Sequence, residues 1–458
     1  MTTRPAVVSR FDRLTGPDRA NLLAERPGVP WHLGLLGILD GGPLTATDGS
    51  LRLDLVRSAL RRALPAAPRL SQVVHPTGPG QGPPIWVDTA VDLDRHLRVM
   101  PLAPPGDDQA FLHSCANVLA PPMNRRRPLW DLTLLPGMAG GHLGLVLRVH
   151  HAIADGVAAA AIVTALFSER PTPAAGSRPT PPLTGPRLAA DAWWVRTATA
   201  GPALRRLPGL VAAALTQLRA LHRPGEPAPR TSLNGRLGSG RRLAAVRVPL
   251  EPVHEAAHAA GGTVNDAVLA AVAGALRTVL ESRGERAAVT LRASVPVSLR
   301  DSGADPTGNR VGLMLVPLPL AAPDVNRRLA TIAAATRAMK GPARAAGTLT
   351  VSSSTLAVRL ALPLMRHQHL VNLFVTNVPG PVRPLTFAGA RLLEAYPAAP
   401  IAGNVTLGVG VLSYAGDLSF GIVADAASWP DLPVLAAALR AELAALTGLP
   451  SQSAGSHG

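Results

Sequence analysis

The chain is predicted to adopt a mixed α/β (α+β) fold in two lobes, and three observations predict it. Apolar stretches of strand length, such as "HLGLLGILDG" and "LGLVLRVH", are interleaved with helix-period stretches such as "QAFLHSCANVLA". A length of 458 residues exceeds what one hydrophobic core usually organises. A run rich in Pro, Gly, Ser and Thr, "PTPAAGSRPTPPLTGP" at 171–186, then divides the chain. With 47% apolar residues the sequence has the makings of folded cores and is not a disordered polymer.

The elements follow in order. Residues 1–170 form the expected N-terminal lobe. Residues 171–242 form a Pro/Ala/Arg-rich connector with a helical segment, in which Arg recurs between apolar runs and Trp193 and Trp194 stand together. That segment reads either as an interfacial amphipathic helix or as a helix packed on its own protein, the commoner fate of such stretches. The C-terminal lobe is expected over 243–450. It begins with strand "LAAVRVPL" and a helix from Val264 to Glu281. Strands "AVTLRASVPV" and "VGLMLVPLPL" and helix "NRRLATIAAATRAMK" come next. Strands "VNLFVTNV", "NVTLGVGVLSY" and "LSFGIVAD" lead to a last helix, "LPVLAAALRAELAAL". The tail, 451–458, has the composition of a disordered end.

The formal charge of +16 comes almost wholly from arginine, Lys340 being the only lysine. Such a field attracts phosphates, whether on nucleic acid, an anionic membrane or a phosphorylated cosubstrate. Aromatic residues at 3% offer little to stack on bases, and no nucleic-acid-binding pattern is present, so nucleic acid is set aside. The single cysteine, Cys115, excludes an intramolecular disulfide and a Cys-based metal cluster, and it reads as a small buried hydrophobe. The N-terminus lacks the apolar core of a secretory signal, and no run of about 18 uncharged apolar residues suggests a membrane span. The expected location is cytoplasmic, with any contact to lipid made from the surface.

The chemistry-bearing stretch is "HLGLVLRVHHAIADG", residues 142–156, where two adjacent histidines close a strand. Successive strand side chains point to opposite faces, so His150 and His151 divide into one imidazole facing a cavity and one facing the fold. Asp155 and Gly156 stand at the turn into the next helix. Asp155 can cap that helix, a role worth roughly 1 kcal/mol, or orient an imidazole. Adjacent histidines on opposite faces chelate one ion poorly and HExxH is absent, so no metal is expected.

The spacing HHxxxDG between a strand and a helix resembles that of coenzyme A-dependent acyltransferases and peptide-synthetase condensation domains. Further blocks narrow the resemblance: "NRRRPLWDL" (124–132), "LNGRLGSGRR" (233–242), "TVNDAVLAAVAGALR" (263–277), "LRASVPVSLR" (291–300), "GNRVGLMLVPLP" (308–319) and "TNVPGP" (376–381). In this order they are similar to the bacterial wax ester synthase/diacylglycerol acyltransferase family, from about Phe11 to Leu446. Two departures stand out. Asn124 occupies a place where the family often has aspartate, and "FDRLTGPDRANLLAERPGVPWH" is only loosely similar.

The resemblance implies a two-lobed acyltransferase fold with an active-site tunnel between the lobes. It also implies attack of an alcohol hydroxyl, from diacylglycerol or a fatty alcohol, on the thioester of a long-chain acyl-CoA. His151 is then the general base and His150 its structural support. No covalent intermediate is needed, and the chain has no GxSxG elbow. Asn265 is implied near the active centre as an oxyanion donor, although Thr263, Asn265 and Asp266 are also good helix-start residues. Pro128, Leu129 and Trp130 read as packing beside the His loop. Arg125 and Arg127 are candidates for the coenzyme's phosphates, a solvated charge run being the plainer account. Acyl-CoA is thus a cosubstrate and no bound cofactor is expected. The peripheral partner surface is a membrane or lipid droplet. The competing readings are a condensation-type enzyme acting on a hydroxylated natural product or a carrier-bound acyl group, and a non-catalytic lipid-surface homologue.

Overall fold

A computed structural model gives the structure of the chain, and the described residues are 9–169, 183–198, 228–298, 311–345 and 365–450. Most of the expected linker and the tail at 451–458 lie outside them.

Two six-stranded mixed sheets organise the molecule. The strands, in chain order, are β1 (His32–Asp40), β2 (Gln72–His75), β3 (Ile85–Asp88), β4 (Leu97–Val99), β5 (Trp130–Leu135), β6 (His142–His150), β7 (Arg241–Pro249), β8 (Thr290–Ser298), β9 (Val311–Pro319), β10 (Leu373–Pro379), β11 (Thr386–Phe387), β12 (Ala390–Ala398), β13 (Leu407–Tyr414) and β14 (Asp417–Asp425). The first sheet runs β11-β12-β1-β6-β5-β4 and the second β7-β14-β13-β10-β8-β9, while β2 and β3 form a separate hairpin. The expected mixed α/β class with two lobes is thus the observed one.

Alternation along β6 explains how the first sheet is covered. Leu145, Leu147 and Val149 enter a core with Val56 and Leu60 of helix Leu53–Ala63 and with Ile162 and Leu166 of helix Gly156–Leu166. Val146 enters another, with Leu36, Ile38 and the helix Asp108–Leu119, where Cys115 is wholly buried and burial pushes its thiol well up. The second sheet is packed by helices Leu250–Ala259, Val264–Ser282, Val325–Ala345 and Leu432–Thr447. No single helix among the described residues is long and apolar enough to cross a membrane.

A boundary near residue 243 would assign every later strand to the second lobe, but β11 and β12 pair in the first sheet. Gly34 to Leu39 of β1 run antiparallel to Ala398 to Leu392 of β12. The returning strand also packs against the second sheet at glycines. A Cβ on Gly421 of β14 would lie 1.9 Å from the Pro397 carbonyl oxygen, and one on Gly410 of β13 would lie 3.1 Å from the same atom. Both neighbours are backbone, which cannot swing aside. Gly421→Ala is therefore expected to cost about 1–3 kcal/mol or more by overpacking the seam. Urea unfolding reads the loss directly, and an unchanged midpoint would mean that the two sheets do not meet there.

Candidate active site

Strand β6 ends at His150, and the chain turns at once: the Ile153 amide donates to the His150 carbonyl at 2.9 Å. Asp155 then caps helix Gly156–Leu166, its Oδ1 accepting from the Ala158 amide at 2.9 Å. Gly156 has a packing reason to lack a side chain. A Cβ there would come within 3.0 Å of Val378 Cγ2, in the "TNVPGP" strand of the second sheet. The histidine loop therefore sits where the lobes meet.

His150 is wholly buried. Its Nδ1 accepts from the Ala152 amide at 3.0 Å, so the ring turns its Nε2 away from the loop. That nitrogen faces Glu25 Oε1 across 3.7 Å, too far for a hydrogen bond, and neither atom has a hydrogen-bond partner among the described residues. Its backbone amide donates to the Leu129 carbonyl at 2.9 Å. Trp130 is anchored by its indole N–H to the Leu70 carbonyl at 2.8 Å, so the Pro-Leu-Trp block does pack beside the loop. Opposite His150 in register stands His32, whose imidazole is pushed down to about 3 by burial and then by the nearby Arg148 charge.

His151 has different neighbours. It is half-buried by exposed area, yet its ring lies deep enough in protein that burial, the largest influence, lowers its pKa from 6.5. A contact with its own carbonyl and the Asp155 charge act in the other direction, and His150 adds to the lowering. The His151 amide donates to the Trp31 carbonyl at 3.0 Å, and the two rings stack with centroids 6.2 Å apart. Asn21 completes the seat: its Nδ2 donates to the His151 carbonyl at 2.9 Å and lies 3.4 Å from Nδ1. The Trp31 indole N–H donates to Asn21 Oδ1 at 3.0 Å, and since indole nitrogen can only donate, it fixes which way the amide points.

Asn21 and Glu25 are the residues that sequence reasoning missed. They are one turn apart, on helix Gly16–Ala24 and at its C-cap, so one helix edge reaches both histidines. The helix starts where Thr15 and Asp18 make a reciprocal capping box. Burial alone would raise the Glu25 carboxyl. The adjacent His150 and the Arg125 guanidinium outweigh it and hold the carboxyl at about 2, so Glu25 is an anion near neutral pH. The i, i+4 spacing of Asn21 and Glu25 was the available signal, in the segment that departs from the family pattern.

The structure separates the remaining candidates. Arg125 donates to Glu25 Oε2 from Nε at 3.2 Å and from Nη2 at 3.1 Å, and to the Leu22 carbonyl at 2.6 Å. A guanidinium tied down in this way holds the N-terminal helix instead of standing ready for a phosphate. Arg127 is half-buried, its amide donating to the Asn124 carbonyl at 3.2 Å. Asn265 stands in the other lobe, half-buried in the first turn of helix Val264–Ser282. Beside it, Thr263 and Asp266 form the capping box, with Thr263 Oγ1 donating to Asp266 Oδ2 at 2.7 Å. A cleft of about 720 Å³ opens between helix Asp108–Leu119, β7, β12 and helix Leu432–Thr447; Ile38, Phe111, Tyr396 and Ala436 are in its wall and His151 is not.

Comparison with known proteins bears on the fold and the family. The profile of the wax ester synthase/diacylglycerol acyltransferase catalytic domain matches residues 14–268, and that of the WS/DGAT C-terminal domain matches residues 307–447. The Mycobacterium tuberculosis protein named "Probable diacyglycerol O-acyltransferase tgs1" is 34% identical over 435 residues, 91% of each chain. The solved wax ester synthase/diacylglycerol acyltransferase from Marinobacter aquaeolei VT8 superposes with a TM-score of 0.67 at 27% identity, covering 95% of this chain and 100% of that one. The first condensation domain of the CDA synthetase shares the fold, with a TM-score of 0.62 at 18% identity over 99% of both chains. The catalytic and C-terminal profiles between them span most of the sequence, and the chain belongs to the wax ester synthase/diacylglycerol acyltransferase family.

Proposed function

We propose that His151 is the general base in transfer of a long-chain acyl group from acyl-CoA to the hydroxyl of diacylglycerol or a long-chain alcohol, giving triacylglycerol or wax ester. The observation that carries this is the seat of His151: its imidazole is kept neutral by burial and its ring is held between Trp31 and Asn21, at the second histidine of HHxxxDG. A neutral imidazole can take the hydroxyl proton as the new C–O bond forms, which is typically worth roughly a hundred- to ten-thousand-fold in rate. A ring proton on Nδ1, toward the residue's own carbonyl, leaves the Nε2 lone pair for that proton. The tetrahedral intermediate then collapses with cleavage of the C–S bond. The imidazolium returns the proton to the departing thiolate, so the base is regenerated and no acyl-enzyme forms.

In this scheme His150 and Asp155 shape the loop, Asn265 is the donor assigned to the oxyanion, and Arg127 remains the candidate for the coenzyme's phosphates. Acceptor and product are water-insoluble, so the working place is the surface of a membrane or lipid droplet in the cytoplasm. Offering palmitoyl-CoA with hexadecanol and, separately, with diacylglycerol, and resolving products by mass spectrometry, tests the substrate class. Ester with at least one acceptor is the expected result; free coenzyme A without ester from any lipid acceptor would overturn it.

A further inference from the structure

The helix at 185–198 is held to the N-terminal lobe by one face only. Leu188, Asp191 and Ala192, at helical spacing, are buried on that face. Leu188 packs with Phe11 and Ile85. Asp191 is the anchor: Oδ2 accepts from Ser9 Oγ at 2.8 Å, from Arg13 Nη2 at 2.8 Å and from Arg13 Nε at 3.0 Å, while Oδ1 accepts from the Arg10 amide at 2.8 Å. Arg13 also donates to the Leu188 carbonyl at 3.1 Å. The helix is thus rigidly mounted, and its orientation is set.

The opposite face carries Trp193 and Trp194, 65% and 58% exposed. The other four of the chain's six tryptophans are buried or half-buried, so this pair concentrates the exposed indole surface of the molecule. On a helical wheel both project away from the middle of the face that Leu188, Asp191 and Ala192 bury. Ala190 and Thr197 lie between them, and exposed Arg187 and Arg196 stand at the two borders. Leu183, 37% exposed, stands two residues before the helix. Leaving two indoles in water is unfavourable for a protein surface, whereas the headgroup boundary of a bilayer suits both their apolar bodies and their N–H groups. Arginines at the edges add attraction to anionic headgroups, and the net charge of +16 has the same sign.

We propose that Trp193 and Trp194, bordered by Arg187 and Arg196, form the face that docks this protein on an anionic lipid surface. The proposal rests on the reading above of an enzyme working at a lipid surface and names the element that makes the contact. Asp191 fixes the helix so that both indoles enter the interface together with the helix axis in its plane.

The test uses the full chain and phosphatidylcholine vesicles with and without phosphatidylglycerol. Co-sedimentation is expected with the anionic vesicles and weakens as salt is raised. Tryptophan emission is expected to shift to the blue on binding and to be quenched by brominated acyl chains. The double variant Trp193→Ser/Trp194→Ser, at exposed positions, is expected to bind on the order of tenfold or more weakly. It should keep its turnover on detergent-dispersed substrates, which separates docking from chemistry. Undiminished vesicle binding by the double variant would overturn the assignment while leaving lipid-surface action in place. Failure of the unaltered chain to bind any vesicle would overturn both, and loss in the double variant of a dimer seen by sedimentation, without vesicle binding, would assign the face to a second copy instead.

Discussion

His151→Ala is expected to lower kcat/KM for ester formation roughly 10²–10⁴-fold, the range for loss of a positioned general base, with little change in Tm. The fold should tolerate the change because the half-buried ring is removed while the backbone bond from residue 151 to the Trp31 carbonyl stays. The pH profile gives an independent check. Burial disfavours the imidazolium, so the folded pKa lies below 6.5 and the neutral base persists as pH falls to that value. On the free enzyme the acid limb of kcat/KM should therefore have its midpoint below the 6.5 of an ordinary imidazole. Asn21→Asp puts a carboxylate beside Nδ1, stabilises the imidazolium, and should move that acid limb upward. Unchanged ester formation by His151→Ala would remove the general-base role, and an unmoved limb in Asn21→Asp would remove Asn21 from the base's environment.

Much of this site could be read in the sequence because its signals are local. The period-two pattern of "LGLVLRVH" places the histidines at a strand end, and Asp155 and Thr263 with Asp266 carry the helix-start chemistry that the structure shows. What escaped was tertiary. Glu25 meets Arg125 across a separation of 100 residues and reaches toward His150 from still further away, and no periodicity announces such a pairing. The stretch "ARLLEAYPA" is absent from the expected strands, and neither the strand nor its return beside β1 was legible in its local pattern. Gly410 and Gly421 fall inside stretches that read as ordinary strands, and only the approach of the Pro397 carbonyl shows why a side chain is excluded. Trp193 and Trp194 suited two accounts in the sequence, and only the tertiary bonds of Asp191 show that the helix packs on the N-terminal lobe while the indoles stay exposed.

Asp131→Ala is expected to destabilise the protein by about 3–5 kcal/mol, more than any exposed ion pair in the molecule would cost. Arg148 lies in β6 two residues before His150, with only 2% of its side chain exposed. Its Nε donates to Asp131 Oδ1 at 2.8 Å, its Nη2 to Asp131 Oδ2 at 2.6 Å, and its Nη1 to the Pro121 carbonyl at 2.9 Å. Removing the carboxylate leaves a guanidinium deep between helix and sheet with one carbonyl for company, and the cost is that of an uncompensated buried charge. Removing both charges has a smaller effect. Asp131→Leu with Arg148→Met replaces the pair by apolar groups of similar bulk, needs no desolvation of ions, and is expected to recover most of the loss. Urea unfolding of the single and double variants decides the matter. A single-variant loss near that of a surface pair, below about 1 kcal/mol, would mean that water reaches the guanidinium and that the strand carrying the histidines is anchored by something else.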